Sequence, residues 1–172
     1  VDLSLSSLAY AKRKTDELGI KNIDYMQADI LDLGQLNKKF DIIESVGVLH
    51  HMKNPLAGWK VLTDCLKTGG LMQIGLYSEL ARQHIAKIRK EISHSSIGSS
   101  SLEIKAFRDK IISSNKDYHK LILSSADFYS LSTLRDLLFN VQEYRFTLPQ
   151  IKSYLHELGL KFCGFESEKI VS

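Results

Sequence analysis

The sequence predicts an α/β fold: a doubly wound, mostly parallel sheet with helices on both faces. Three observations carry this. Apolar residues at helical spacing alternate with short apolar runs along the first half of the chain. The run Phe40-Asp41-Ile42-Ile43 is too short and too β-branched for a helix. It passes Gly47 and Val48-Leu49 to reach His50, His51 and then Asn54-Pro55, a natural N-cap with proline at the first helical position. After Lys67-Thr68-Gly69-Gly70, the stretch LMQIGLY at 71–77 reads as another strand. A strand that opens into a loop and then a helix sets that loop at the carboxyl edge of the sheet, where open α/β sheets bind ligands.

The remaining elements follow in order. Val1-Asp2 reads as the end of a strand. Leu8, Ala11, Thr15 and Leu18 mark a helix that Ser4 or Ser6 can cap and Gly19 can end. Residues 20–27 read as a short strand, Ala28-Asp29-Ile30 ends it, and a polar connector runs to Lys39. Leu56, Trp59, Leu62 and Leu66 recur at helical spacing after Pro55, and Trp59 reads as core. Residues 78–146 change character. Ser78 reads as the cap of a helix with a stripe of Leu80, His84, Ile85, Ile88 and Ile92, and a flexible Ser-rich loop fills 93–101. Short helices are expected at 106–112 and 131–139, with Ser132 a possible cap. This region reads as a helical insertion or lid over the sheet, inside one domain of residues 1–172. Thr147 and Gln150 form a capping box around Pro149, a helix runs to Gly159, and 160–165 returns as a strand.

Composition narrows the function classes. With 44% apolar and 25% charged residues, 172 residues suit one globular domain. A formal charge of +3 is too small to argue for nucleic acid or an anionic membrane. Cys65 and Cys163 lack metal-ligand spacing, so a reducing, cytoplasmic setting is expected. No apolar run approaches the roughly 20 residues a membrane helix needs, and the start lacks a signal-peptide pattern. His50 and His51 point apart as neighbours, and no third ligand follows at helical spacing, so no metal is expected. The run Lys87-Ile88-Arg89-Lys90 reads as a solvated helix face, and Glu44 stays unassigned.

Four motifs in series, VDLS, QADI, FDIIESVGVLHHM and LKTGGLMQIGLYS, resemble the class I S-adenosylmethionine-dependent methyltransferases. The stretch DFYSLSTLRDLLFNVQEYRFTLPQI is similar to bacterial members found beside tetratricopeptide repeats. The resemblance implies a partial Rossmann-like sheet and S-adenosylmethionine as cofactor. It implies that Asp2 holds the ribose hydroxyls, accepting from two at once, and that Leu3 lies against the adenine. Asp29 would accept from the adenine amine with the Ile30 backbone beside it, and Ser45 and Val46 would line the methionine end. His50, His51 and Tyr77 are the candidates on the substrate side, and the catalytic residue stays unknown. His51 is also a possible general base, since histidine transfers protons near neutrality.

The family's Gly-rich loop, first helix, most of its second strand and its seventh strand after Val171 are not found in these residues. The resemblance therefore implies a fragment that binds cofactor poorly by itself: two lost backbone contacts to a charged group would weaken binding by roughly a hundredfold to ten-thousandfold. The expected reaction is methyl transfer to a small-molecule or protein nucleophile. Two alternatives stand beside it, a non-catalytic interaction module and a nicotinamide-dependent oxidoreductase, since a strand-end acid such as Asp2 suits either cofactor. The aromatic residues Phe107, Tyr118, Phe128, Tyr129 and Phe139 either line an apolar or aromatic pocket or only pack the lid. Oligomeric state is not readable.

Overall fold

The computed structural model describes residues 1–140 and 142–166. The expectation about a seventh strand after Val171 lies outside the described residues. The chain divides into two units: residues 1–49 with 54–75, and 50–53 with the described residues from 76 on.

The first unit begins with helix α1 (Leu5–Glu17), whose N-cap is Ser4; its hydroxyl accepts from the Ser7 N–H at 3.2 Å. Gly19 follows the helix at φ 71°, as a left-handed stop requires. Strand β1 (Phe40–Ser45) pairs in parallel with β2 (Leu66–Ile74), joined through α2 (Pro55–Asp64), which Asn54 caps at 3.1 Å from the Ala57 N–H. Trp59 and Leu62 bury their side chains on α2, with Leu33 and Cys65 also buried in this unit. The parallel pair and its crossover helix establish the α/β class.

Three strand boundaries differ from the sequence reading. The strand at 71–77 starts earlier, at Leu66, and ends at Ile74. Lys67-Thr68-Gly69-Gly70 does not separate helix from strand but bulges within the strand, because Asp41 alone stands opposite all four residues in the register. Gly69 takes φ 78°, and a Cβ on Gly70 would meet the Asp41 carbonyl at 2.8 Å, so the bulge requires both glycines. The strand at 20–27 contracts to a single parallel bridge, Asp2 to Gln27. Its ladder consists of Asp2 N–H to Met26 O at 3.2 Å and Ala28 N–H to Asp2 O at 3.3 Å. The strand at 160–165 is absent: Phe162 and Phe165 are exposed, and an apolar run without a neighbouring edge has no ladder to join.

The second unit is helical. Its elements are α3 (Gln83–His94), α4 (Ser101–Ile112), α5 (Asp117–Ile122), α6 (Leu131–Phe139) and α7 (Leu148–Glu157). Ile85, Ile88 and Ile92 of α3 bury the expected stripe against Ile104, Phe107, Ile111, Ile122, Phe128, Leu134 and Leu138. Leu80 is left out of that stripe and is exposed. The helix starts only at Gln83 because Ser78 is held extended by a parallel bridge to Phe146. The cap of α6 is Ser130 rather than Ser132, and α5 lies where no element was expected. The Thr147/Gln150 box at α7 forms as read. No helix among the described residues is long and apolar enough to cross a membrane.

Candidate functional site

In the first unit, Asp2 Oδ1 accepts from the Ser4 N–H at 2.7 Å, which fixes the carboxylate at the start of α1. Leu3 is exposed, and its carbonyl accepts from Gln27 Nε2 at 2.9 Å. Asp29, two residues past the Asp2–Gln27 bridge, caps a 3-10 turn (Ile30–Leu36) by accepting from the Leu31 N–H at 2.9 Å. One carboxylate oxygen of each acid is thus tied to backbone, and the rest of its accepting capacity stays open. Asp2, Leu3, Asp29 and Ile30 are gathered by the bridge.

Ser45 and Val46 lie at the carboxyl end of β1. Gly75 N–H donates to Ser45 O at 2.9 Å, and a Cβ on Gly75 would meet Val46 Cγ1 at 2.9 Å. The Ser45 hydroxyl is buried and has no hydrogen-bond partner among the described residues. A buried hydroxyl left in this way costs free energy unless a ligand completes it. Two open carboxylates and an unsatisfied hydroxyl at parallel strand ends fit a ligand rich in hydroxyls and amines. No hydrogen bond among the described residues joins the Asp2 group to the Ser45 group.

The substrate-side candidates fall in the second unit and are packed together. The buried His50 ring stacks on Tyr77 with centroids 3.7 Å apart and planes 27° apart. Arg82 Cζ lies 3.6 Å from the same Tyr77 centroid. Two groups so near one centroid cannot share a face, so Tyr77 is sandwiched between imidazole and guanidinium. Arg82 is held in turn by the buried Glu143, through Nε–Oε1 at 3.2 Å and Nη2–Oε2 at 2.8 Å. Arg89 also reaches Glu143, at 3.2 Å, and donates to the Asn140 carbonyl. Burial pushes the Tyr77 phenol above its ordinary range, against the opposing pull of Arg82. Tyr77 therefore stays a neutral donor near pH 7.

His51 meets His50 edge-on at 4.3 Å, and its Nδ1 lies 2.9 Å from the Gln142 carbonyl and 3.2 Å from Asn140 Nδ2. Asn140 is oriented by accepting from the Gln142 N–H and donating to Asp136, both at 3.1 Å. Nδ1 is the anchored ring nitrogen in either tautomer, donating to the Gln142 carbonyl in one and accepting from Asn140 Nδ2 in the other. Further clamps hold the His50–Lys53 segment: Tyr144 N–H to His50 O at 2.7 Å, Gln142 Nε2 to Met52 O at 2.8 Å, and Tyr144 Oη to Lys53 O at 3.0 Å.

A cavity of about 630 Å³ opens beside Tyr77, lined by Asp127, Thr133, Arg135, Asp136, Phe139 and Asn140 among others. Of the five aromatic residues that suggested a pocket or lid packing, only Phe139 lines this cavity. Phe107 and Phe128 are spent in the helical core, and Tyr129 is exposed. Sequence reading missed Arg82, Asn140, Gln142 and Glu143. Each works through a partner far along the chain, and no local periodicity marks such a pair.

A family profile described as a methyltransferase domain matches residues 1–128. The chain belongs to the methyltransferase-domain family. It is 27% identical over 173 residues to an uncharacterized protein of Synechococcus sp., covering 96% of this chain and 42% of that protein. PKMT2 from Rickettsia typhi, solved in complex with AdoHcy, superposes with a TM-score of 0.66 at 21% identity, over 90% of this chain and 32% of PKMT2. At that identity the likeness is one of fold. This methyltransferase-domain chain thus spans less than half the length of either relative, and the class I resemblance read from its four strand-end motifs is borne out.

Proposed function

We propose that the methyltransferase domain to which these residues belong carries out S-adenosylmethionine-dependent methyl transfer to a small-molecule or protein nucleophile. The single observation that carries the reading is the family match across 1–128, the stretch that holds every candidate residue at a strand end. Asp2 would hold the ribose hydroxyls, Asp29 and the Ile30 backbone the adenine edge with Leu3 against its face, and the unsatisfied Ser45 hydroxyl with Val46 the methionine end. AdoHcy, bound by the Rickettsia structure, is what this cofactor becomes after giving up its methyl group.

When bound, the cofactor supplies a methyl group already activated by its sulfonium, so the protein has chiefly to align the acceptor and exclude water. His50, Tyr77 and Arg82 form a rigid wall for that purpose. His51 Nε2, fixed by the bond at Nδ1, takes the proton an acceptor hydroxyl or amine gives up. The cavity beside Tyr77 receives the acceptor.

The test is calorimetric titration with AdoHcy and, separately, NADH, on the longest native polypeptide that carries these residues. Saturable AdoHcy binding that weakens at least tenfold in Asp29→Asn, with none for NADH, is the expected result. Binding of NADH alone would move the chain to oxidoreductase chemistry, and binding of neither would leave an interaction module.

A further inference from the structure

The run Lys87-Ile88-Arg89-Lys90 on α3 does not form one solvated face. Ile88 enters the core and Arg89 turns to Glu143, which leaves Lys87 and Lys90 together on a third side, with His94 one turn beyond. Like charges at this spacing destabilise a helix, so the arrangement costs the fold rather than helping it. These residues line a recess of about 340 Å³ completed by Lys116 and Tyr118.

The acid in the recess cannot serve them. Glu91 already accepts from Lys110 at 3.0 Å, Lys116 at 2.9 Å, Tyr118 Oη at 3.1 Å and His119 Nε2 at 3.1 Å. Three of these donors crowd Oε2 and one sits on Oε1, so the carboxylate is already engaged on both oxygens. Asp117, beside Lys116, pairs with Lys120 at 4.0 Å. Neither Lys87 nor Lys90 has a carboxylate within 4.0 Å among the described residues. The recess is therefore lined by Lys87 and Lys90, neither within 4.0 Å of a carboxylate among the described residues, beside an acid already engaged by four donors.

We propose that this recess binds a small phosphate-bearing molecule, held by Lys87, Lys90 and Lys116. Its volume lies at the lower end of small-molecule sites, which suits one or two phosphate groups rather than a polymer. Lysine serves as a point charge on phosphate oxygens, and three ammonium groups converging on one ligand give charge-assisted hydrogen bonds without a metal. The site is built on the helical unit and stands apart from the methyl-transfer reading.

The probe is inorganic pyrophosphate, titrated calorimetrically into the chain at constant ionic strength. One-to-one saturation is expected, and Lys87→Gln with Lys90→Gln should weaken it roughly a hundredfold, about tenfold per lost charge-assisted bond. The pair Lys21→Gln and Lys38→Gln changes net charge equally elsewhere and should leave the affinity unaltered. Circular dichroism confirms that each variant is folded. Absence of saturation, or equal loss in the Lys21/Lys38 variant, would overturn the proposal. So would Lys87-dependent binding of phosphatidylserine vesicles or single-stranded RNA in the absence of any pyrophosphate binding.

Discussion

The two units hold their candidate residues in opposite ways. In the first, Asp2 and Leu3 are exposed, the carboxylates of Asp2 and Asp29 each accept one backbone hydrogen bond, and α1 buries none of its residues. In the second, His50, His51 and Tyr77 are locked by stacking, by a buried Glu143 shared between two arginines, and by bonds that span about ninety residues. The difference teaches where rigidity is needed. On the proposed reading, a cofactor would order its contacts by binding to them, whereas a proton acceptor and an acceptor wall would have to be in place beforehand.

The comparison breaks most sharply at Glu143. Its removal as Glu143→Ala strands two part-buried guanidiniums, and the helical unit should lose about 3–5 kcal/mol in urea unfolding. A smaller loss would mean that the carboxylate holds the Tyr77 sandwich only weakly. Core truncation follows: Phe128→Ala should cost about 3–5 kcal/mol, whereas Leu5→Ala on the exposed side of α1 should stay within about 0.5 kcal/mol. Matching losses in these two variants would erase the contrast between the units.

Acid titration sharpens it next. Burial pushes the Glu91 carboxyl up, but hydrogen bonds from Lys116, Lys110 and Tyr118 outweigh this and hold it at about 2, below its ordinary 4.5. A folded-state value below the unfolded one makes Glu91's contribution complete above pH 4.5 and lost as pH falls from there toward about 2. Glu91→Gln should flatten the stability profile of the helical unit in that window. The smallest effect belongs to the caps. Thr147→Ala removes the capping box of α7 and should cost about 1 kcal/mol, and Ser4→Ala a similar amount read at α1 by amide exchange.

Much of the fold was legible because its signals are local. Pro55 after Asn54 started α2, the Thr147/Gln150 box started α7, and Ile85, Ile88 and Ile92 declared their buried stripe. The strand boundaries were not, since a strand exists only where a neighbour pairs with it. Residues 20–27 had the pattern but only one bridge, and 160–165 pair with no strand among the described residues. The bulge at Gly69-Gly70 was read as a break because its partner, Asp41, lies far back in the chain.

The site divides along the same line. By itself the sequence determined the α/β class, the family, and the strand-end positions of Asp2, Asp29 and Ser45, because motif order and short-range patterning encode them. Only the tertiary structure decided that Tyr77 is sandwiched between His50 and Arg82, that Glu143 unites two arginines, and that His51 is anchored through Nδ1. Each of these rests on a contact across tens of residues, and such contacts become visible only when the chain has folded back on itself.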